Sequence, residues 1–283
     1  MHEFVSRRVD VGETVLEVLE AGEGPPVFAC THPYLDTTGP RPAGGLSEAL
    51  AGAGRTVYLV PRGTGNSDPE TRSEKLGMHQ TVDDLEAARR ALGVERWVVA
   101  GTSTGGMTAI EYTLRYPGSV SGLVAIGAAA SWRFLEDPDC IYNPAHPEAW
   151  REEEARSRLD GSEEAGKRWI RTVLELSLQR KELVDVLAGR TSNISAPRLA
   201  RIREELIGSW DREQEISSIG VPTLVACGRY DSQCPIRSSL LMAERIPDAT
   251  LVVFEGSNHF PYEEEPEAFR QAILEFAEKV RLS

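Results

Sequence analysis

Positive charge is scarce in this chain: 31 Lys and Arg stand against 44 Asp and Glu across 283 residues, a formal net charge of -13. That deficit argues against nucleic acid or an anionic membrane face as a partner, since both attract basic surfaces. Cysteine is sparse as well. Cys30, Cys140, Cys227 and Cys234 are widely spaced and form no C-x-x-C pair, so neither a metal site nor a thioredoxin-like motif is expected. Long apolar runs are missing, and the opening residues lack the apolar stretch of a secretory signal, so the expectation is a cytoplasmic protein. Repeats and low-complexity tracts are absent too. What the chain does have is 41% hydrophobic residues, enough to bury a substantial core.

The apolar pattern has a clear rhythm. Runs at 6–11 and 14–20, separated by Gly12-Glu13, alternate as a strand hairpin does. A short buried run at 27–31 follows, and then helix 45–53, strand 56–60, helix 82–92, strand 96–100 and strand 120–126. Alternation of this kind builds a mostly parallel sheet flanked by helices. Past the sixth strand the rhythm stops, and 132–210 turns helical in pattern: Trp169, Ile170, Val173, Leu174 and Leu176 share one face, as do Leu199, Ile202, Leu206 and Ile207. That stretch contains no good strand. Trp132, Trp150, Trp169 and Trp210 lie in or beside it and read as its own core rather than as ligand contacts. The clusters at Glu152–Glu154 and Glu263–Glu265 read as solvated helix faces. The strand-helix rhythm resumes near Val221-Pro222-Thr223.

Between strand 96–100 and a helix-like run at 106–116 stands Gly101-Thr102-Ser103-Thr104-Gly105. A serine on such a turn presents its hydroxyl above the sheet edge, with a helix starting behind it. A serine hydroxyl needs a base, and histidine, with an ordinary pKa of roughly 6.5, suits the task. Of five histidines, His259 is the candidate, because it follows the strand-like run 250–255 at the end where parallel sheets collect their chemistry. Its orienting acid is Asp231, just past the strand-like 223–227. Glu136 and Asp137 are the alternative acids, ranked lower because Pro138 and Asp139 beside them mark a polar loop. The order Ser103, Asp231, His259 is the one expected for a G-x-S-x-G nucleophile. Cys234, three residues beyond Asp231, is expected near the site, where thiol reagents would block by bulk.

On these residues the chain resembles the α/β-hydrolase superfamily. Three further stretches carry the likeness: Thr31-His32-Pro33-Tyr34 is similar to the family's oxyanion loop, Arg62-Gly63-Thr64-Gly65-Asn66-Ser67 to its R-G-x-G-x-S loop, and His259-Phe260-Pro261 with Glu264, Pro266 and Phe269 to its ending. The resemblance implies an α/β-hydrolase core over 1–131 and 215–283, with a helical lid inserted at 132–214. It also implies an oxyanion hole made by the amides of Tyr34 and Thr104, and no metal or organic cofactor. Pro33 replaces the usual glycine, which leaves the next amide, that of Tyr34, as the donor. Val60 stands where aspartate is common, so no charged pair is assigned to that loop.

The activity expected is hydrolysis of a small carboxylic ester or lactone through an acyl-enzyme, with a small-molecule substrate and an unassigned oligomeric state. Two rivals stay open. One is an aminopeptidase resembling prolyl iminopeptidases, which would hold an α-amino group with acidic lid residues. Those enzymes carry a His-Gly-Gly-Pro-Gly loop and a tryptophan beside the nucleophile, whereas this chain has His32-Pro33-Tyr34-Leu35-Asp36 and Thr104. The other is a ligand receptor on the same scaffold, in which binding closes the lid onto a partner. Epoxide and haloalkane hydrolysis would require an aspartate where Ser103 stands.

Overall fold

A computed structural model of the chain describes residues 2–36, 45–190 and 193–283. Met1, 37–44 and 191–192, which fall inside the expected core and insert, lie outside the described residues. The chain begins with β1 (Val5–Asp10) and β2 (Val15–Ala21), paired antiparallel. Then come β3 (Val27–Cys30), a short β4 (Leu35–Asp36), α1 (Gly45–Ala51), β5 (Arg55–Leu59), α2 (Met78–Ala91), β6 (Trp97–Thr102), α3 (Thr104–Arg115) and β7 (Val120–Ile126). After β7 the chain forms α4 (Ala149–Ser157), α5 (Glu163–Ser177), α6 (Val184–Arg190), a two-residue β8 (Asn193–Ile194) and α7 (Ala196–Leu206). It closes with β9 (Thr223–Gly228), α8 (Ile236–Arg245), β10 (Ala249–Phe254), α9 (Pro261–Glu264) and α10 (Pro266–Leu282).

Among the described residues the main sheet runs β1-β2-β5-β3-β6-β7-β9-β10, antiparallel at β1/β2 and β2/β5 and parallel elsewhere. The central strands are apolar along nearly their whole length because both faces are covered. The pleat sends Val99, Leu123 and Val225 into one core with Met78 of α2, Ile110 of α3 and Met242 of α8. The intervening Val98, Val124 and Leu224 pack into a second core with Leu50 of α1 and Phe269 and Ile273 of α10. Fully burying one such aliphatic side chain contributes about 1.5–3 kcal/mol. The sheet is therefore gripped from both sides, and the loops at its carboxyl end are the parts left to carry chemistry.

Between β7 and β9 the chain departs from the sheet and returns through a neck. Ser131 bridges Asp211 antiparallel, the Trp132 amide donates to the Trp210 carbonyl at 2.9 Å, and the Arg212 amide donates to the Ala130 carbonyl at 2.7 Å. The helices beyond the neck have a separate core, including Trp169, Ile170, Val173 and Leu174 of α5, Leu187 of α6 and Leu199 of α7. Contrary to the expectation of no strand there, β8 pairs antiparallel with β4, Leu35 opposite Ile194. Two residues are too few for a period-two pattern to register. Nor do the tryptophans form one core. Trp210 is buried against the sheet's own helices, with its indole N–H donating to Glu111 at 2.9 Å, and Trp150 is exposed. No described helix is long and apolar enough to cross a membrane.

Candidate active site

Ser103 sits between β6 and α3 with φ 55 and ψ -127, the one non-glycine residue of positive φ among the described residues. Such a conformation costs on the order of 1–3 kcal/mol and persists only where the surroundings enforce it. They do here. The Ser103 amide donates to the Ile126 carbonyl of β7 at 2.9 Å, and the end of β3 passes so near α3 that a Cβ on Gly105 would lie 2.6 Å from the Thr31 carbonyl oxygen. The first amides of α3 have no partner within the helix, so that of Thr104 is available to a ligand.

Asp231 follows β9 and His259 follows β10, and both are buried. The His259 Nδ1 lies 2.9 and 3.0 Å from the two Asp231 oxygens. Beside a carboxylate that nitrogen carries the hydrogen, which leaves Nε2 with a free lone pair. Asp231 Oδ1 also accepts the amides of Gln233 at 3.0 Å and Cys234 at 2.9 Å, so its plane is set before the imidazole arrives. The space the pair occupies depends on Gly127 at the end of β7. A Cβ there would stand 2.8 Å from Asp231 Oδ2 and 3.0 Å from His259 Nδ1.

The alternative acids are engaged elsewhere. Asp137 pairs with Arg237 at 3.2 Å and Glu136 lies 4.0 Å from Arg133, so neither meets His259. Cys234 lies near the site as expected, on the wall of a cleft that Ser103 also lines, and burial pushes its thiol well above the ordinary range. The R-G-x-G-x-S loop does carry a charged pair. Arg62 is gripped by Asp84 of α2 at 2.9 and 2.5 Å and by Glu70 at 3.3 Å, a partnership that Val60 had concealed because the acid comes from another element.

Two acidic clusters are likewise more than solvated faces. Glu152 is buried and accepts the Trp169 indole N–H at 2.9 Å. Glu264 is buried and accepts three amides: Asn258 at 2.7 Å, Gln179 at 2.6 Å and Arg180 at 2.9 Å. It thus joins the His259 loop to the segment after α5. The His259 amide itself donates to the Ser177 carbonyl at 3.2 Å, and the Ser232 hydroxyl donates to the Leu176 carbonyl at 3.1 Å.

Tyr34, in the loop after β3, packs its ring edge-on against His32 with centroids 4.6 Å apart, and its amide donates to no described residue. His32 is held neutral, lowered to about 3 by burial first and by the neighbouring His259 second, and its Nδ1 has no partner among the described residues. Arg198 of α7 is buried with no carboxylate in hydrogen-bond contact among the described residues and is lowered to about 10 chiefly by that burial, so it is cationic at neutral pH.

Two clefts meet at Ser103. One, of about 600 Å³ including its open part, is walled by Thr104, Met107, Trp132, Leu199, Ile202 and Arg203 among others. The other, of about 560 Å³, is walled by His32, Ile170, Val173, Leu174, His259 and Phe260 among others. Tyr34, Ser103 and Trp169 line both. Trp132 and Trp169 are therefore walls of the cavity, a role that helical spacing alone could not assign. No Asp or Glu lines either cleft among the described residues, and Arg203 is the formally charged side chain on the wall.

Sequence comparison finds a probable proline iminopeptidase of Leptolyngbya boryana, 24% identical over 238 residues that cover 72% of this chain and 73% of that protein. A 2-hydroxy-6-oxo-6-phenylhexa-2,4-dienoate hydrolase of Burkholderia cepacia is 24% identical over 275 residues, 94% of this chain and 89% of that protein. Among solved structures, an alpha/beta fold family hydrolase from Bacillus anthracis str. Sterne superposes with a TM-score of 0.87 at 28% identity, covering 97% of this chain and 99% of that one. A family model described as alpha/beta hydrolase fold matches residues 38–266. With a match that spans most of the chain, and a sheet whose order and strand directions agree with it, this protein belongs to the α/β-hydrolase fold family.

Proposed function

We propose that this protein is a serine hydrolase that cleaves a small carboxylic ester or lactone through an acyl-enzyme. The observation that carries the reading is the buried Asp231–His259 pair, whose ring shares a cleft wall with the strained Ser103. Ser103 Oγ attacks the carbonyl carbon while His259 Nε2 takes its proton. That proton then passes to the departing alkoxide, leaving the acyl group on Ser103. Water repeats the sequence and releases the acid, with Asp231 steadying the imidazolium in each half. The amides of Tyr34 and Thr104 receive the oxyanion, and the helical insert 132–214 acts as a lid that sets which substrates enter.

The acid-free walls favour an ester over a peptide with a free amino terminus, because an α-ammonium group would meet Arg203 and no carboxylate. Arg203 has no ion-pair partner among the described residues, which favours substrates that carry an anionic group on an otherwise apolar body. The test is a set of nitrophenyl esters of increasing acyl length, neutral and carboxylate-tipped, run beside proline and alanine nitroanilides. Multiple turnover on esters with little on anilides is the expected result, and the reverse ranking contradicts it. Fast turnover without any partner protein also separates an enzyme from a receptor on this scaffold. Ser103→Ala is expected to lower turnover by about four orders of magnitude while the thermal midpoint stays within a few degrees.

A further inference from the structure

Arg198 is an unusual side chain for its surroundings. It is 1% exposed, yet its guanidinium meets no carboxylate among the described residues. Its three hydrogen-bond partners are neutral oxygens from three different elements: Nε donates to the Pro33 carbonyl, Nη1 to the Arg62 carbonyl at 3.0 Å, and Nη2 to Thr81 Oγ1 at 2.7 Å. The guanidinium of Arg62, also deeply buried, has three carboxylates: Asp84, Glu70 and, at 3.9 Å, Glu13. Asp84 and Glu205 favour the Arg198 cation only through space, and its desolvation outweighs them, so packing alone is a poor reason for it.

The acceptor at Pro33 supplies a reason. A peptide unit is planar, so the direction of the Pro33 carbonyl fixes the direction of the Tyr34 N–H on its opposite side. The next peptide unit is also held from the insert, because the Ser195 amide donates to the Tyr34 carbonyl at 2.9 Å. Both planes flanking the Tyr34 Cα are thereby set by two residues at the start of α7. A cationic donor on the carbonyl also draws electron density through the peptide and makes its N–H a stronger donor.

We infer that Arg198 is a positioning residue for oxyanion stabilisation, aligning and polarising the Pro33–Tyr34 peptide so that the insert builds part of the catalytic centre as well as covering it. The inference rests on the reading of Tyr34 as an oxyanion donor to Ser103 chemistry. Its test uses Arg198→Lys, Arg198→Met and Arg198→Ala in the full chain, each checked for native circular dichroism and thermal midpoint. Expected is a fall in kcat of about 10- to 100-fold with KM little changed, since loss of a whole oxyanion donor costs about 100-fold or more. Affinity for a boronic acid that forms a tetrahedral adduct on the serine should fall by the same factor as kcat. Added ethylguanidinium should restore part of the turnover of Arg198→Ala, which a purely structural role would not allow.

Should Arg198→Met fail to fold, Arg198→Lys keeps charge and bulk and is held to the same expectations. Folded variants with unchanged kcat and unchanged boronate affinity overturn the inference, as does a loss confined to KM. Ser103→Ala run in parallel separates the two levels: if it is inert while the Arg198 variants turn over normally, this inference alone fails, and if it is active, the reading beneath fails with it.

Discussion

At Gly127 the absence of one methyl group decides whether the Asp231 carboxylate and the His259 imidazole can meet. The Cβ of an alanine there would sit 2.8 Å from Asp231 Oδ2 and 3.0 Å from His259 Nδ1, on a backbone with φ 48. Gly127→Ala should therefore push the imidazole off line, and displacements of about an ångström cost up to roughly 100-fold in rate. A kcat on a nitrophenyl ester at least tenfold below the parent is the expected result, and an unchanged kcat contradicts the packing account. Ser103, Asp231 and His259 stand out as candidates in the sequence because each comes within a few residues of the end of an apolar strand run. The role of Gly127 carries no signal in the sequence, since the groups it must avoid come from loops far along the chain. Arg198 left no signal at all. Two of its three acceptors are backbone carbonyls, and those have no residue-type signature.

The helices and loops are tied by carboxylates that cross between elements. α2 starts at Met78, four residues ahead of the expected 82, because Glu205 of α7 accepts the Met78 amide at 2.6 Å and caps that terminus from a distance. A cap supplied by the neighbouring residues would have been readable, whereas one supplied by another helix is not. Glu264 does more of this work, accepting amides from both the His259 loop and the segment after α5. Glu264→Ala leaves three donors without their acceptor, and the buried one, the Asn258 amide, alone costs about 1–3 kcal/mol. The urea midpoint should drop accordingly, and amide exchange should quicken at Gln179, Arg180 and Asn258 together. Faster exchange at Asn258 alone would mean that the insert is not fastened through this carboxylate.

Over the whole molecule, the alternation of strands and helices was legible because a parallel sheet buried on both faces demands it. The β4–β8 pairing and the neck at Ser131 and Asp211 were not, being contacts of one or two residues. The fold also carries a pH dependence. His32 is lowered to about 3, below the roughly 6.5 of an unfolded histidine, so between those values the unfolded chain binds the extra proton and stability is lost as pH falls. Glu70 is held at about 2, chiefly by Arg72; Glu86 is held at about 2 because hydrogen bonds from Arg89, Tyr112 and Arg90 outweigh the opposing effect of its burial. Their stabilisation is complete above the ordinary glutamate range and is lost as pH drops through it towards 2. Urea midpoints should hold steady around pH 7 and decline below about pH 6.5, and His32→Asn should flatten the upper part of that decline. An identical slope in the variant would remove His32 from the account.

The catalytic reading is tested most directly by treating the protein with a fluorophosphonate and mapping the adduct by mass spectrometry. The expected result is one modified site, Ser103, with labelling abolished in Ser103→Ala and strongly slowed in His259→Ala. An adduct on any other residue, or equally fast labelling of Ser103 once His259 is gone, would contradict it.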